Sequence, residues 1–568
     1  MTKTTRFALV AAMAGLASAA CSAPKRDGTG GDDGGSNEGS NGSGSGGMVT
    51  TTPPDCATAI QNHSSVGCEY YAVDMDAAMG PPQDACFAVF IANTSTQPVH
   101  IQSQWNGQNI DLSTYAKLPV GSGMSLTYGA YDATAGLAPG KVAILFLAYF
   151  QRFSLPPQPA CPVPAAIGDE AQFGGTGIGH AFHIATDQPV VAYQMLPYGG
   201  GDAAATGASL LLPTSSWGTE YIAVSAYDPL PANVPPIPIN TGGPSHNYVA
   251  ATEGTVVTMM PIADIAAGAN GLVAGPKNTP YNVTLHRGEY LQITQSIPLS
   301  GSIVTADHPI GAFGGHQIMS IDRCCGDHGE QMLAPVQALG SEYVFAPHGD
   351  RDNTPETHVY RIYGAVDGTA LTYDPPNIGP ATVNRGQLLE IRTTNKPFVV
   401  ASQDSSHPFS AFTFMTGGGD PNADRNDPTM GYGTATGDPD FVRLVPPLQF
   451  LSHYVFFTDP TYPITALTVV RQATNGAFKD VKLDCLTGPV TGWQPVGSSG
   501  TYEMAIVKLV DEWTGQAGCN NGIHVMDSDA AFGLWVWGWG DDATKTGSVS
   551  YGYPAGENVQ PINTVVIE

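Results

Sequence analysis

A nine-residue element recurs three times in this chain, and its spacing limits what the chain can fold into. The copies read Pro213-Thr-Ser-Ser-Trp-Gly-Thr-Glu-Tyr221, Pro335-Val-Gln-Ala-Leu-Gly-Ser-Glu-Tyr343 and Pro446-Pro-Leu-Gln-Phe-Leu-Ser-His-Tyr454. In each, Pro stands eight residues before Tyr, and a β-branched residue follows: Ile222, Val344 or Val455. The agreement continues downstream. TEGTVVT at residues 252–258 matches VDGTALT at 366–372, and HRGEYLQI at 286–293 matches NRGQLLEI at 384–391. TADHPIGAF at 305–313 matches TTNKPFVVA at 393–401, with an earlier copy ATDQPVVAY at 185–193 and a degenerate one, DSDAAFGLW, at 527–535. Self-similarity at this period means repeated supersecondary units.

The units read as β structure. Short runs such as CFAVFIANTS, VAILFLAYF, FVVASQ and YVFFT are rich in β-branched and aromatic residues and are broken by Gly, Pro, Asn and Asp. Glu/Asp-Gly-Thr predicts a hairpin turn, because Gly takes positive φ cheaply. Arg-Gly opens another turn, and Asp/Asn-x-Pro is expected to end one strand and set φ for the next. The fold class expected is all-β: repeated β modules, either tandem β-sandwiches or a closed β-propeller, stapled by disulfides. Module lengths differ, so the inserts fall in loops, where binding usually resides. The expected division is a signal peptide at 1–20, a Gly/Ser-rich tether at 21–55, a divergent N-terminal module at 56–200, and modules at 201–330, 331–440 and 441–568.

The chain has 22 Lys+Arg against 49 Asp+Glu, a net charge of −27. Phosphate would be repelled, so nucleic acid and anionic membrane faces are poor partners. Lys3 and Arg6 precede an apolar run, Phe7 to Ala20, too short for a permanent membrane span. The run ends in Ala17-Ser18-Ala19-Ala20-Cys21, which resembles a bacterial lipoprotein cleavage site with Cys21 lipidated; ordinary cleavage after Ala19 or Ala20 is the alternative. The stretch after it, GTGGDDGGSNEGSNGSGSGG, has nothing apolar to bury and reads as a flexible coil.

Nine cysteines are present. With Cys21 set aside as an anchor, Cys56, Cys68, Cys86, Cys161, Cys324, Cys325, Cys485 and Cys519 form the even set that a disulfide framework in an exported chain needs. Cys485 with Cys519 is the best pair by position. A bond between the neighbours Cys324 and Cys325 would be strained, so separate partners are expected for them. The run DRCCGDHGEQ at 322–331 could also be read as a zinc site on Cys325, His328 and perhaps Cys324 and Glu330. It lacks the second ligand pair that zinc usually takes, so it reads as a stapled loop between modules. His180 and His183 are three apart, which on a strand points them to opposite faces. Asp420, Asn422 and Asp424 alternate as calcium ligands do, but Arg425 stands where an EF-hand needs Gly. Calcium is therefore a weak candidate and no other cofactor is indicated. No nucleophile elbow, zincin helix or phosphate loop is found, so no catalytic residue is named. FGLWVWGWG at 532–540 reads as a strand buried on both faces, with sugar stacking as the alternative.

Five blocks, AFHIATDQPVVAYQMLPYGG, ASLLLPTSSWGTEYIAVSAYD, CCGDHGEQMLAPVQALGSEYVFAP, GDPDFVRLVPPLQFLSHYVFFTDPTYP and FGLWVWGWGDD with GSVSYGYPAG, resemble the IgGFc-binding domain family over about residues 170–555. The resemblance implies a secreted or cell-surface β protein without enzymatic activity, in its bacterial surface-lipoprotein version. The partner implied is an extracellular glycoprotein or glycan, or another surface protein, with the membrane reached through a lipid anchor. Gly437-Asp-Pro-Asp440 resembles a self-cleaving Gly-Asp-Pro-His with Asp440 in place of His, so no cleavage is expected. The function expected is exported binding or adhesion at the cell surface. A secreted hydrolase of polysaccharide or protein and a structural envelope component are the alternatives.

Overall fold

The computed structural model describes residues 54–77, 84–151, 160–199, 205–227, 243–321, 326–351, 356–394, 396–418, 436–540, 546 and 549–567. Cys21, Cys324, Cys325, Asp420, Asn422 and Asp424 lie outside these residues, as do the signal peptide and nearly all of the tether. The helix Pro54–Asn62 takes in the last two positions of the expected tether.

Each repeat folds around one long strand. In the first module this is Phe182–Leu196, in the second Ile303–Met319 and in the fourth Ile523–Trp539; the third carries it as two pieces, Phe398–Ser402 and Phe409–Met415. The first half of each long strand pairs with the strand that follows the repeated Pro…Tyr element: Val66–Ala72, Gly218–Ile222, Glu342–Phe345 or Leu451–Phe457. The second half pairs with a short strand that closes the module: Gly207–Leu211, Asp327–Met332, Asp440–Arg443 or Ser550–Pro554. Every module is thus a small two-layered sandwich whose long strand passes from one layer to the other.

The crossing point corrects two expectations. Asp-x-Pro does not end a strand in the first and second modules. Pro189 and Pro309 sit inside continuous strands, where the ladder slips: Gly67 pairs with Val190 but Glu69 with Ala185, and Gly218 pairs with Ile310 but Glu220 with Thr305. A residue without an N–H is tolerated there because the bulge has already released the ladder. In the third module the equivalent of Asp307–Pro309 is Asp404–Pro408, between the two pieces of the long strand. The Asn395-Lys-Pro397 matched to it in sequence instead precedes the first piece, since Asn/Asp and Pro suit either turn. Both Gly turns form with positive φ, +74° and +71° at Gly254 and Gly368, +83° and +69° at Gly288 and Gly386. The Glu/Asp-Gly-Thr turns, however, close no hairpin: Pro244–Ala250 and Thr255–Met260 each pair with other strands, and Thr357–Gly364 and Thr369–Asp374 lie in different sheets, so the turn carries the chain between layers. The two kinds of turn hold each other. Arg287 N donates to Glu253 Oε2 at 3.0 Å, and Arg385 N donates to Asp367 Oδ1 at 3.1 Å.

The repeated element is a tyrosine corner joined to an inter-module contact. The N–H of Gly67, Gly218, Gly340 and Leu451 donates to the hydroxyl three residues on, of Tyr70, Tyr221, Tyr343 and Tyr454, at 2.8, 3.0, 3.0 and 3.1 Å. The hydroxyls are buried, and three donate onward to the long strand, at Val190 O, Ile310 O and Phe532 O. The glycine has a separate reason. A Cβ on Gly218 would lie 2.5 Å from Pro335 Cβ, one on Gly340 would lie 2.5 Å from Pro446 Cβ, and one on Gly67 would collide with Pro213. The Pro that opens each element docks on the corner glycine of the module before it. Tyr70 marks a fourth copy that lacks the Pro.

These steps close into a ring. The four closing strands contact one another in cyclic order: Gly207–Leu211 with Asp327–Met332, that with Asp440–Arg443, that with Ser550–Pro554, and that with Gly207–Leu211 again. First and last modules share one apolar core, in which Phe90 stacks on Phe457 at 5.1 Å and Tyr193 donates to Val455 O at 3.2 Å. The chain is all-β with repeated modules, as expected; the sandwiches stand neither in an open row nor as single-sheet propeller blades but side by side in a closed ring.

Disulfides join Cys56 to Cys68, Cys86 to Cys161 and Cys485 to Cys519. Since these six are paired among themselves, Cys324 and Cys325 cannot each take one of them, which corrects the expectation of separate partners in that set. No helix among the described residues is long and apolar enough to cross a membrane.

Candidate functional site

Strand Asp327–Met332 carries the sequence DHGEQM, and all six residues are buried. The half of DRCCGDHGEQ that looked most chemical is thus not a loop between modules. It is one of the four strands at the centre of the ring, and period-two alternation did not reveal it because it is buried on both faces.

Its first residue ties the four strand starts together. Asp327 Oδ1 accepts from Thr206 N, and Asp327 Oδ2 accepts from Ser550 N at 3.0 Å. Thr206 Oγ1 donates to Ser550 O, and Ser550 Oγ accepts from Asp438 N at 2.8 Å. By strand pairing Thr206 goes with the first module, although it falls within the expected 201–330, Asp327 with the second, Asp438 with the third and Ser550 with the fourth, each just ahead of or at the start of a central strand. The chain therefore enters all four strands from one end of the ring. Further along, Gln331 Nε2 donates to Ala208 O at 2.8 Å and to Gly552 O at 2.9 Å, spanning the ring.

The carboxylates here are held away from water. Burial, with Asp438 next, pushes Asp327 well above the usual carboxylate range, and burial does the same to Asp440. Glu330 is pushed up to about 8 by burial, against a 2.7 Å hydrogen bond from Gln194 Nε2. Beside it His328 is lowered to about 4 by burial, against the backbone of Gln317 and His316. Such a centre is a packed, largely neutral polar core rather than a solvent-facing acid pair.

The opposite end is tied by the segment after the fourth module. Arg443, fully buried, forms a two-point ion pair with Glu557, through Nη1 at 2.8 Å and through Nη2. From there the segment crosses every corner. Ser65 N donates to Glu557 O at 2.7 Å, Asn558 N to Gln449 O at 2.7 Å, Ile562 N to Gln337 O at 2.9 Å and Ile567 N to Glu220 Oε2 at 2.9 Å. Between this strap and the corners of the second and third modules lies a cleft of about 220 Å³, lined by Trp217, Glu220, Pro309, Pro335, Val559 and Pro561 among others.

The histidines flagged in sequence are separated by the fold. His180 lies in a strand of the second module's sheet, while His183 is the second residue of the long strand of the first, its Nε2 donating to Glu69 Oε1 at 2.8 Å and its ring stacking on Tyr71 at 4.6 Å. Trp535, Trp537 and Trp539 are buried, so the tryptophan run is core and offers no sugar platform. One cluster had no signal in sequence: His348, Glu356 and His358, fully buried, bring one ligand atom each to within 4.8 Å of one another. Glu356 stands eight positions after His348, far from the short ligand spacings searched for in the sequence. Arg351 fixes Glu356 by bonds of 3.0 Å through Nε and 2.5 Å through Nη2, and Nη1 donates to Thr416 O and Thr436 O, both at 2.9 Å. Burial works against ionisation of Glu356, but Arg351 and then His348 bring it down to about 2.

Comparison with known proteins gives a consistent picture. The model of the family described as IgGFc binding protein matches residues 207–538. The human IgGFc-binding protein is 25% identical over 404 residues, which is 71% of this chain but 7% of that protein. Among solved structures, a GH78 family rhamnosidase of a Bacillus species covers 60% of this chain and 54% of its own at 9% identity, with a TM-score of 0.11 that carries no argument about fold.

Proposed function

The chain belongs to the IgGFc-binding family, and from that premise we propose that it is an exported, non-enzymatic binding protein of the cell surface. It holds an extracellular glycoprotein, or another surface protein, on the end of the ring where the chain enters the four central strands. The observation that carries this reading is the Thr206–Asp327–Asp438–Ser550 knot. It gathers the beginnings of four equivalent strands, one from each module, at one place. Loops on a rigid β scaffold are the usual carriers of recognition. The central acids support binding over hydrolysis, because they are sealed in the core instead of facing a cleft.

On this reading the mature chain begins at a lipidated Cys21, and the polar stretch after it holds the ring off the membrane. Cys21→Ser is expected to shift the protein from the membrane to the soluble fraction; unchanged partition would remove the anchor from the proposal. The human relative's name refers to IgG Fc, so Fc is one ligand to try. The deciding experiment displays the ring, without residues 1–21, to an array of glycoproteins, glycans and IgG Fc, alongside polysaccharide and peptide reporter substrates. Retention of a glycoprotein without turnover is expected. Turnover of a reporter with no retained ligand would overturn the proposal.

A further inference from the structure

We propose that His348, Glu356 and His358 bind one Zn²⁺ ion, with the two imidazoles and the carboxylate as its protein ligands. Two imidazoles and a carboxylate suit zinc, and three protein ligands leave a fourth position for water. Their ligand atoms already lie within 4.8 Å of one another. Zinc–ligand bonds of about 2.0–2.2 Å need only a modest further approach. The other grouping of this kind, Asp484, Cys485 and His524, is not equivalent, since Cys485 is consumed in a disulfide.

Two further observations point to a ligand. The indole N–H groups of Trp537 and Trp539 are buried without an acceptor, and both rings pack on His348, with centroids 5.3 and 6.2 Å away. Buried donors of this kind require an acceptor, and a zinc-bound water or hydroxide is one. The two oxygens of Glu356 are also used unequally. Oε2 takes the short bonds from Arg351, at 2.5 and 3.0 Å. Oε1 takes only the longer ones, at 3.2 and 3.3 Å, and is the oxygen 3.6 Å from His348 Nδ1. That Nδ1 donates to Gly349 O at 2.8 Å, which leaves Nε2 as the nitrogen of His348 for the ion. Arg351 therefore orients the carboxylate from behind, as partners of metal ligands do, and leaves the oxygen facing the histidines available. Because the same guanidinium holds Thr416 O and Thr436 O, the ion would fix both ends of the chain that leads into strand Asp440–Arg443.

The test uses the mature full-length protein, stripped with a chelator, dialysed against ZnSO₄ and assayed for metal per chain. The expected result is one zinc per chain in wild type and in Cys324→Ser/Cys325→Ser, none in His358→Gln, and a zinc-dependent rise in Tm confined to the first two. Zinc K-edge absorption on wild type should show nitrogen and oxygen neighbours and no sulfur, which decides the matter even if His358→Gln does not fold. Retention of zinc by His358→Gln with loss in the cysteine variant, sulfur in the coordination sphere, or no zinc retained by wild type would each overturn the proposal.

Discussion

Single residues at the centre of the ring set its response to pH. Glu330 is raised to about 8 in the folded chain, above the ordinary value of about 4.3 for an unfolded glutamate. Between those values the folded state binds the extra proton, so its stability is intact at low pH and falls as pH rises towards 8. Asp327 and Asp440 shift in the same direction, and Asp76, at about 6, adds to the slope. Glu356, lowered to about 2, acts in the opposite sense: its contribution is present above the unfolded value and lost as pH falls towards 2. Urea midpoints are therefore expected to be highest in mildly acidic buffer and to decline by pH 9, and Glu330→Gln should flatten the alkaline side. An unchanged midpoint from pH 5 to pH 9 would contradict the assignment. The Arg443–Glu557 pair makes a second prediction at this scale. Arg443→Met leaves a buried carboxylate unpaired and should cost about 3–5 kcal/mol, whereas Arg443→Met with Glu557→Leu should recover most of it, as measured by chemical denaturation.

At the scale of elements, the corner shows what could be read in sequence and what could not. The Pro…Tyr spacing was visible, because both residues recur at a fixed interval. The reason for the interval was not, since the tyrosine bonds inside its own module while the proline packs on the glycine of the preceding one. Tyr221→Phe should cost about 1–3 kcal/mol, the penalty for leaving the Gly218 N–H and Ile310 C=O short of a partner. Gly218→Ala should be worse than a surface substitution, because its Cβ has only 2.5 Å to Pro335; thermal denaturation of both variants checks this. Glu-Gly-Thr and Arg-Gly turns were legible because positive φ selects glycine locally. The crossing of the long strand was not, because a proline inside a bulge and a proline before a strand leave the same trace in sequence. The polar centre was missed for a related reason: DHGEQM carries the composition of a loop, and it is a strand only because it pairs with the distant half of Ile303–Met319 and is buried by the central strands of other modules. The His348 cluster joins a residue just past strand Glu342–Phe345 to the start of strand Thr357–Gly364, in a different sheet, which no local pattern can report.

For the whole molecule, the shared core of the first and last modules predicts cooperativity. An open row of sandwiches would melt piecewise, while a ring tied at both ends loses several interfaces when any one opens. Calorimetry should show a single transition for residues 54–567 with matching calorimetric and van't Hoff enthalpies. Removing the strap by ending the chain after Ala555 should split or broaden it, and a sharp, unshifted transition in that truncation would count against closure by the strap. The strap also fixes when the molecule becomes itself. Its hydrogen bonds reach the corners of all four modules, yet it follows every one of them in the chain. During synthesis the first three modules emerge as an open arc, and the fourth closes it against the first. The strap arrives last and ties the corners, so a chain that is exported while still being made crosses its membrane before it has been locked shut.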